Sequence, residues 1–304
     1  MVKFLVNWTH EADGPGGSER THSLLHRAFP EAELLSASRL APNASIHDMR
    51  LAVDSFLSRN TSSSDIVIKD AGVGGIENIP AKTVLYFENP YYSLAESMNN
   101  DELIPIWLSL VEAQRMDAKK SILNIASAEF SRVDAEASGC RIDLVVNGGA
   151  DMDFWLPPSE EKVEPYIIWV GSRFKEKYSV VDLDSLPLYR VYKEDAHDIS
   201  SMRRHYHGAS CLLYTFPIEG IPHVILEALA CGLPVITTRS GWFWDKPVDE
   251  VGVFIPDNKE DLVGVIDKVI AERDSFDTRE YLFKNKLTMN DFISNMREAV
   301  KEFI

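Results

Sequence analysis

Short, unbroken apolar runs alternate along this chain with segments whose apolar positions recur every three or four residues. Val2-Lys3-Phe4-Leu5-Val6 is the first such run, and the polar, glycine-rich stretch from Asn7 to Gly17 follows it, which predicts a buried strand and then a loop. A helix is expected from Ser18, with Leu24, Leu25, Ala28 and Phe29 at helical spacing. Strand, glycine loop and helix in that order form the opening unit of a nucleotide-binding sheet. Further strands are expected at 32–36, 65–69, 83–87, 121–126 and 142–146, with helices near 45–59 and 103–115. Strands alternating with helices argue for an α/β protein with a parallel sheet covered on both faces.

A second series begins at Tyr166-Ile167-Ile168-Trp169-Val170-Gly171. It continues at 188–192, 210–214, 235–238 and 252–255, with helices at 199–207, 261–273 and 290–303. The last helix carries Phe292, Ile293, Met296, Val300 and Phe303 at helical spacing. Pro157-Pro158 and the acidic Glu160-Glu161 read as a linker. We therefore expect an N-terminal domain over 1–160, a smaller one over 161–288, and a C-terminal helix over 289–304 packing back on the first.

At 304 residues, 45% apolar and 26% charged, the chain has the composition of a soluble globular protein with about two cores. The formal net charge of -16 disfavours nucleic acid and anionic membrane surfaces as partners, although Arg203-Arg204-His205-Tyr206-His207 and Lys119-Lys120 are local basic clusters. The apolar start is too short for a signal peptide and no run could span a bilayer, so a cytoplasmic location is the expectation. Cys140, Cys211 and Cys231 are odd in number and lack metal spacing, which predicts free thiols rather than disulfides or a zinc site.

One stretch names a chemistry: Phe216-Pro217-Ile218-Glu219-Gly220-Ile221-Pro222-His223-Val224-Ile225-Leu226-Glu227-Ala228-Leu229-Ala230-Cys231-Gly232-Leu233-Pro234, followed by Val235-Ile236-Thr237-Thr238. It reads as loop, helix, Gly-Pro stop and strand. Pro222 suits a first helical turn, where unpaired N–H groups and the helix dipole make an anion site. Glu219 lies just outside the helix and Glu227 about one and a half turns inside. The two carboxylates would then stand roughly 10 Å apart with the anion site between them. A ligand with hydroxyls at both ends and phosphates in the middle fits that layout.

The same residues resemble the E-x7-E signature of glycosyltransferase family 4, retaining enzymes of the GT-B fold with two Rossmann-like domains facing across a cleft. The resemblance implies that Glu219 faces the donor sugar, that Gly220, Ile221, Pro222, His223 and Val224 approach sugar and phosphate, and that Glu227 holds the ribose hydroxyls. Gly16-Gly17-Ser18-Glu19-Arg20 is similar to the family's GG-x-E-R element and would face the diphosphate. Val170-Gly171-Ser172-Arg173-Phe174-Lys175-Glu176-Lys177 looks like its V-G-R-x4-K element, which assigns the leaving group to Arg173 and Lys177, with Lys175 competing for the lysine role. Asn147-Gly148-Gly149-Ala150-Asp151 resembles the family's interdomain turn.

The chain departs from the family pattern in two places. Where relatives carry a histidine, this chain has Glu88 and Asn89; with His10 of the glycine loop, these are the candidates for the acceptor side. Between Lys177 and Ser210 there is room for one strand and one helix only, so the second domain looks trimmed. The expected function is transfer of a sugar from a nucleotide-diphospho-sugar, UDP- or GDP-linked, to a hydroxyl acceptor, with no cofactor and no metal. A non-catalytic nucleotide-sugar-binding subunit and a nucleotide-sugar epimerase are the alternatives.

Overall fold

A computed structural model of the chain describes residues 1–8, 17–76, 78–98, 102–159, 166–193, 195 and 198–304. His10, Gly16 and, of the expected linker, Glu160 and Glu161 lie outside the described residues. The chain forms two compact units. One comprises Met1–Ala12, Ser18–Asn147 and Phe292–Ile304, and the other Asp13–Gly17 and Gly148–Asp291.

The first unit is built on a six-stranded parallel sheet. Its strands are β1 (Val2–Asn7), β2 (Glu33–Ser36), β3 (Ile66–Asp70), β4 (Lys82–Phe87), β5 (Leu123–Ala126) and β6 (Leu144–Val145), in the order β2-β1-β3-β4-β5-β6. All five residues of β3 are buried, as in a sheet covered on both faces, and Ile66-Val67-Ile68 reads as an apolar run rather than an alternating one. Helices α1 (Gly17–Ala28), α2 (Ala37–Leu40), α3 (Ile46–Asn60), α4 (Tyr91–Ser97), α5 (Ile104–Ala118) and α6 (Glu129–Ala137) link the strands. Ser45 caps α3 by accepting from Asp48 N at 3.1 Å, and Val53 and Leu57 of that helix pack on Phe4, Val6 and Val67.

Lys69 is fully buried in β3. Its ammonium donates to the carbonyls of Val73, Gly74 and Gly75 at 2.8, 2.7 and 3.2 Å and to Asp117 Oδ2 at 2.8 Å. A burial this deep is tolerable only because every donor finds an acceptor.

The second unit holds a five-stranded parallel sheet of β7 (Tyr166–Gly171), β8 (Leu188–Tyr192), β9 (Ala209–Tyr214), β10 (Val235–Thr237) and β11 (Gly252–Phe254). The order is β11-β10-β9-β7-β8. Its helices are α7 (Arg173–Lys177), α8 (Ile199–Gly208), α9 (His223–Ala230), α10 (Leu262–Ala271) and α11 (Thr278–Lys284). Ile167, Trp169, Cys211, Leu213 and Ile236 of the sheet pack with Leu262, Ile266 and Val269 of α10. Among the described residues between Lys177 and Ala209 there are one strand, β8, and one α-helix, α8.

The units divide at Asn147, ahead of the expected linker. The reason is that Ala150 donates to Leu287 O at 2.9 Å and accepts from Met289 N at 2.8 Å, which ties residues 148–159 to the second unit. Gly149 has to be glycine there, because a Cβ would stand 2.2 Å from Thr288 O. Helix α12 (Met289–Val300) belongs from Phe292 onward to the first unit. There Phe292 meets Tyr86 edge to face at 6.2 Å, and Arg297 Nε donates to Ala28 O at 2.8 Å.

Candidate functional site

In each sheet the connections leave a central strand toward opposite sides, and in open α/β sheets ligands bind outside the strand carboxyl ends at that switch point. In the second unit the switch lies between β7 and β9. The candidate residues of that unit gather there.

β7 ends at Gly171, where a Cβ would stand 2.5 Å from the Trp169 ring. Ser172 then caps α7 by accepting from Lys175 N at 3.1 Å. The short helix aims Lys175 back at the end of β9. Its ammonium pairs closely with Glu219 Oε2 and lies 3.3 Å from Tyr214 Oη. Tyr214 is 1% exposed and donates to the same Glu219 oxygen at 2.5 Å. Burial, and then the charge of Glu219, push the Tyr214 phenol well above its ordinary value, so it acts as a neutral donor.

The loop that carries Glu219 is pinned on several sides. Trp169 Nε1 donates to Thr215 Oγ1 at 3.0 Å, while Thr238 Oγ1 and Ser240 Oγ donate to Phe216 O at 2.7 and 3.3 Å. Gly241 packs under the loop, its Cβ position lying 2.4 Å from Pro222 Cδ and 2.9 Å from Gly220 O, with φ at +55°. Helix α9 starts at His223 with Pro222 as its N-cap, one position later than Pro in the first turn, and its first N–H groups point out of the helix end. Ile221 and His223 are buried, Val224 is half-buried, and both Ile221 and His223 approach Gly148.

Glu227 is 4% exposed, and Tyr206 of α8 donates to its Oε2 at 3.0 Å. Tyr206 itself is 1% exposed and stands edge to face on Trp155 at 5.6 Å. Tyr206 carries no motif and went unnoticed in the sequence. The only signal it offers is its position on the inward side of α8.

The cations of the 171–177 segment take different partners. Lys175, not Lys177, meets Glu219; Lys177 Nζ lies 5.5 Å over the Tyr178 ring. Two residues along a helix are about 200° apart, so the two lysines leave α7 on opposite sides. Arg173 stacks 4.6 Å over Tyr192 and pairs with Asp195 at 3.2 Å.

Gly17 is exposed at the start of α1, and in the first unit Asn89 is half-buried. Glu88 follows β4, is 8% exposed, and accepts from Thr21 Oγ1 of α1 at 2.9 Å. Asp151 accepts from the N–H groups of Asp153 and Phe154 and so closes a turn. Among the described residues no three His, Cys, Asp or Glu side chains stand together as a metal would need. Cys140, Cys211 and Cys231 are buried and form no disulfide among the described residues, and no described helix is long and apolar enough to cross a membrane.

A family model described as "Glycosyl transferases group 1" matches residues 193–288, the segment that contains β9, Glu219, α9 and Glu227. A search of curated protein sequences returns no match. Solved structures with the same fold include a sucrose-phosphate synthase from Thermosynechococcus elongatus, with TM-score 0.77, 11% identity and 99% of each chain covered. HepE of Anabaena in complex with UDP and glucose has TM-score 0.71 and 12% identity over 99% of this chain and 100% of its own. A glycosyltransferase from Rickettsia africae has TM-score 0.61 and 13% identity over 99% and 98%. The fold is thus that of the GT-B glycosyltransferases, two Rossmann-like units each on a parallel sheet. Family model and neighbours together support a glycosyltransferase.

Proposed function

We propose that the protein is a retaining, metal-independent glycosyltransferase that moves a sugar from a nucleotide-diphospho-sugar to a hydroxyl acceptor. The observation that carries this reading is the Lys175–Tyr214–Glu219 cluster at the switch point of the second sheet, joined by one loop to the helix that bears Glu227.

The proposed roles follow from the chemistry of each group. As the bond from the anomeric carbon to the diphosphate breaks, negative charge grows on the diphosphate. The Lys175 ammonium and the N-terminal end of α9 are the groups placed to stabilise it. Glu219, held in one orientation by Tyr214, accepts from donor-sugar hydroxyls. Glu227 has one oxygen engaged by Tyr206 and presents its carboxylate to the ribose hydroxyls. HepE was crystallised with UDP-glucose, which favours a UDP-linked donor. Buried cysteines that form no disulfide among the described residues suit a reducing compartment, and we place the protein in the cytoplasm.

The test is a panel of UDP- and GDP-sugars read by released nucleotide. Glu227→Ala is expected to weaken UDP binding, and Glu219→Ala to lower turnover more than nucleotide affinity. Thermal stabilisation by UDP without cleavage of any donor would instead mark a binding subunit. Wild-type behaviour in both variants would refute the site.

A further inference from the structure

Tyr214 stands between two groups to which the donor reading gives separate tasks, Lys175 for the leaving diphosphate and Glu219 for the sugar. It closes β9, which is flanked by β7 and β10, and Thr238 N donates to its carbonyl at 3.2 Å. Its backbone is therefore part of the sheet. Lys175 rides on a helix of five residues and Glu219 on a loop.

The three side chains close a triangle. Tyr214 Oη donates to Glu219 Oε2 at 2.5 Å, the Lys175 ammonium pairs with that same oxygen, and it donates to Tyr214 Oη at 3.3 Å. A phenol has one proton to give and lone pairs with which to receive. Burial, and then the Glu219 charge, hold the Tyr214 phenol well above its ordinary value, so that proton stays in place and points at Glu219. Only acceptor capacity is left for Lys175. The direction of every bond in the triangle is thereby set.

An ammonium on a flexible four-carbon stem gives up much rotamer freedom when it is ordered. Here one N–H is aimed at Glu219 and another at Tyr214, so of the three that an ammonium carries one remains for a ligand. Two directed N–H groups fix the direction of the third. The rings of Tyr214 and Phe216, 5.6 and 5.3 Å from the ammonium, flank it further. A cation held in this way needs no reorganisation while charge develops beside it, which is where preorganised electrostatics act most strongly. Glu219 by itself would leave the ammonium free to turn about a single contact. Tyr214 is 1% exposed, so its hydroxyl works through Lys175 rather than on the ligand.

Resting on the donor reading above, we propose that Tyr214 is a positioning residue for departure of the diphosphate. Its hydroxyl sets the orientation of the Lys175 ammonium, and so ties the cation that meets the leaving group to the carboxylate that meets the sugar.

The test is Tyr214→Phe, which keeps the ring and removes the hydroxyl, made in the wild-type chain and in Lys175→Met. Steady-state kinetics on the donor that the panel identifies give kcat and KM, and calorimetric titration with UDP gives nucleotide affinity on the same samples. Tyr214→Phe should lower kcat by about tenfold, the lower end of what a hydrogen bond to a charged group is worth, with UDP affinity kept within about threefold. In Lys175→Met the same change should lower kcat by no more than about threefold further, since coupled groups do not act additively and most of the effect runs through the missing ammonium. A kcat loss below about threefold in Tyr214→Phe alone, a further loss above that in the double variant, or a fall in UDP affinity beyond it would each overturn the proposal. The last of these would mark a general disturbance of the site. If the wild type cleaves no donor of the panel, the donor reading fails and takes this inference with it; equal cleavage by wild type and Tyr214→Phe fails this inference alone.

Discussion

Lysine 175 offers the sharpest division between what the chain spells and what it folds into. Replacing it by Met removes the ammonium and keeps the length of the aliphatic stem. In the unliganded chain this breaks an ion pair whose side chains are 28% and 18% exposed, and partly solvated pairs of that kind contribute about 0–1 kcal/mol. Global stability should therefore move little, with Tyr214 still holding Glu219. Turnover is a different matter. A charge-assisted hydrogen bond to a developing anion is worth about 1.5–3 kcal/mol, and each ~1.4 kcal/mol is tenfold in rate. The expected loss in kcat/KM is therefore about 10- to 100-fold, concentrated in kcat because the charge grows only as the bond breaks. Lys177→Met is the matched control: its ammonium lies over Tyr178, and its kcat/KM should stay within about twofold. The assay is nucleotide release from the donor identified by the panel, with unfolding by urea measured on the same samples. Equal damage from the two lysine variants, or none from Lys175→Met, would refute the assignment of the leaving-group cation.

Two further outcomes are expected of the first unit. Lys69→Met should cost about 3–5 kcal/mol in urea unfolding, since it strands Asp117, 4% exposed, and three loop carbonyls. Adding Asp117→Leu should recover much of that loss, and a double variant as unstable as the single one would disprove the account. His22 titrates near 4 in the folded chain against about 6.5 when unfolded. The unfolded chain therefore binds the proton first, and stability present above about pH 6.5 is lost toward pH 4, by about 3 kcal/mol in full. Asp70, shifted upward chiefly by burial, works in the opposite direction. The measurement is thus the difference between wild type and His22→Gln at about pH 7 and pH 4.5, and identical slopes would rule out His22 as the source.

Strands were the most legible part of the fold. In parallel sheets covered on both faces strands read as near-continuous apolar runs; 166–171 is such a run and falls on β7 to the residue, and the edge strand β8 matches 188–192 despite Arg190 in its middle. Helices α4, α6 and α11 were not expected. They span only 7, 9 and 7 residues, which is too few turns for a helical period to stand out. The motif around Glu219 and Glu227 was legible because its residues are contiguous. The choice between Lys175 and Lys177 was not, because it depends on which way a five-residue helix faces.

The second sheet stops at β8, a single strand beyond β7. Lys175, Tyr214 and Glu219 sit at the ends of the inner pair β7 and β9, so a change of length outside β8 need not move them. What the outer strand does control is the Tyr192–Arg173–Asp195 corner at its carboxyl end. A strand-helix unit spliced in between 193 and 198 would therefore widen the sheet and rebuild that corner without moving Glu219.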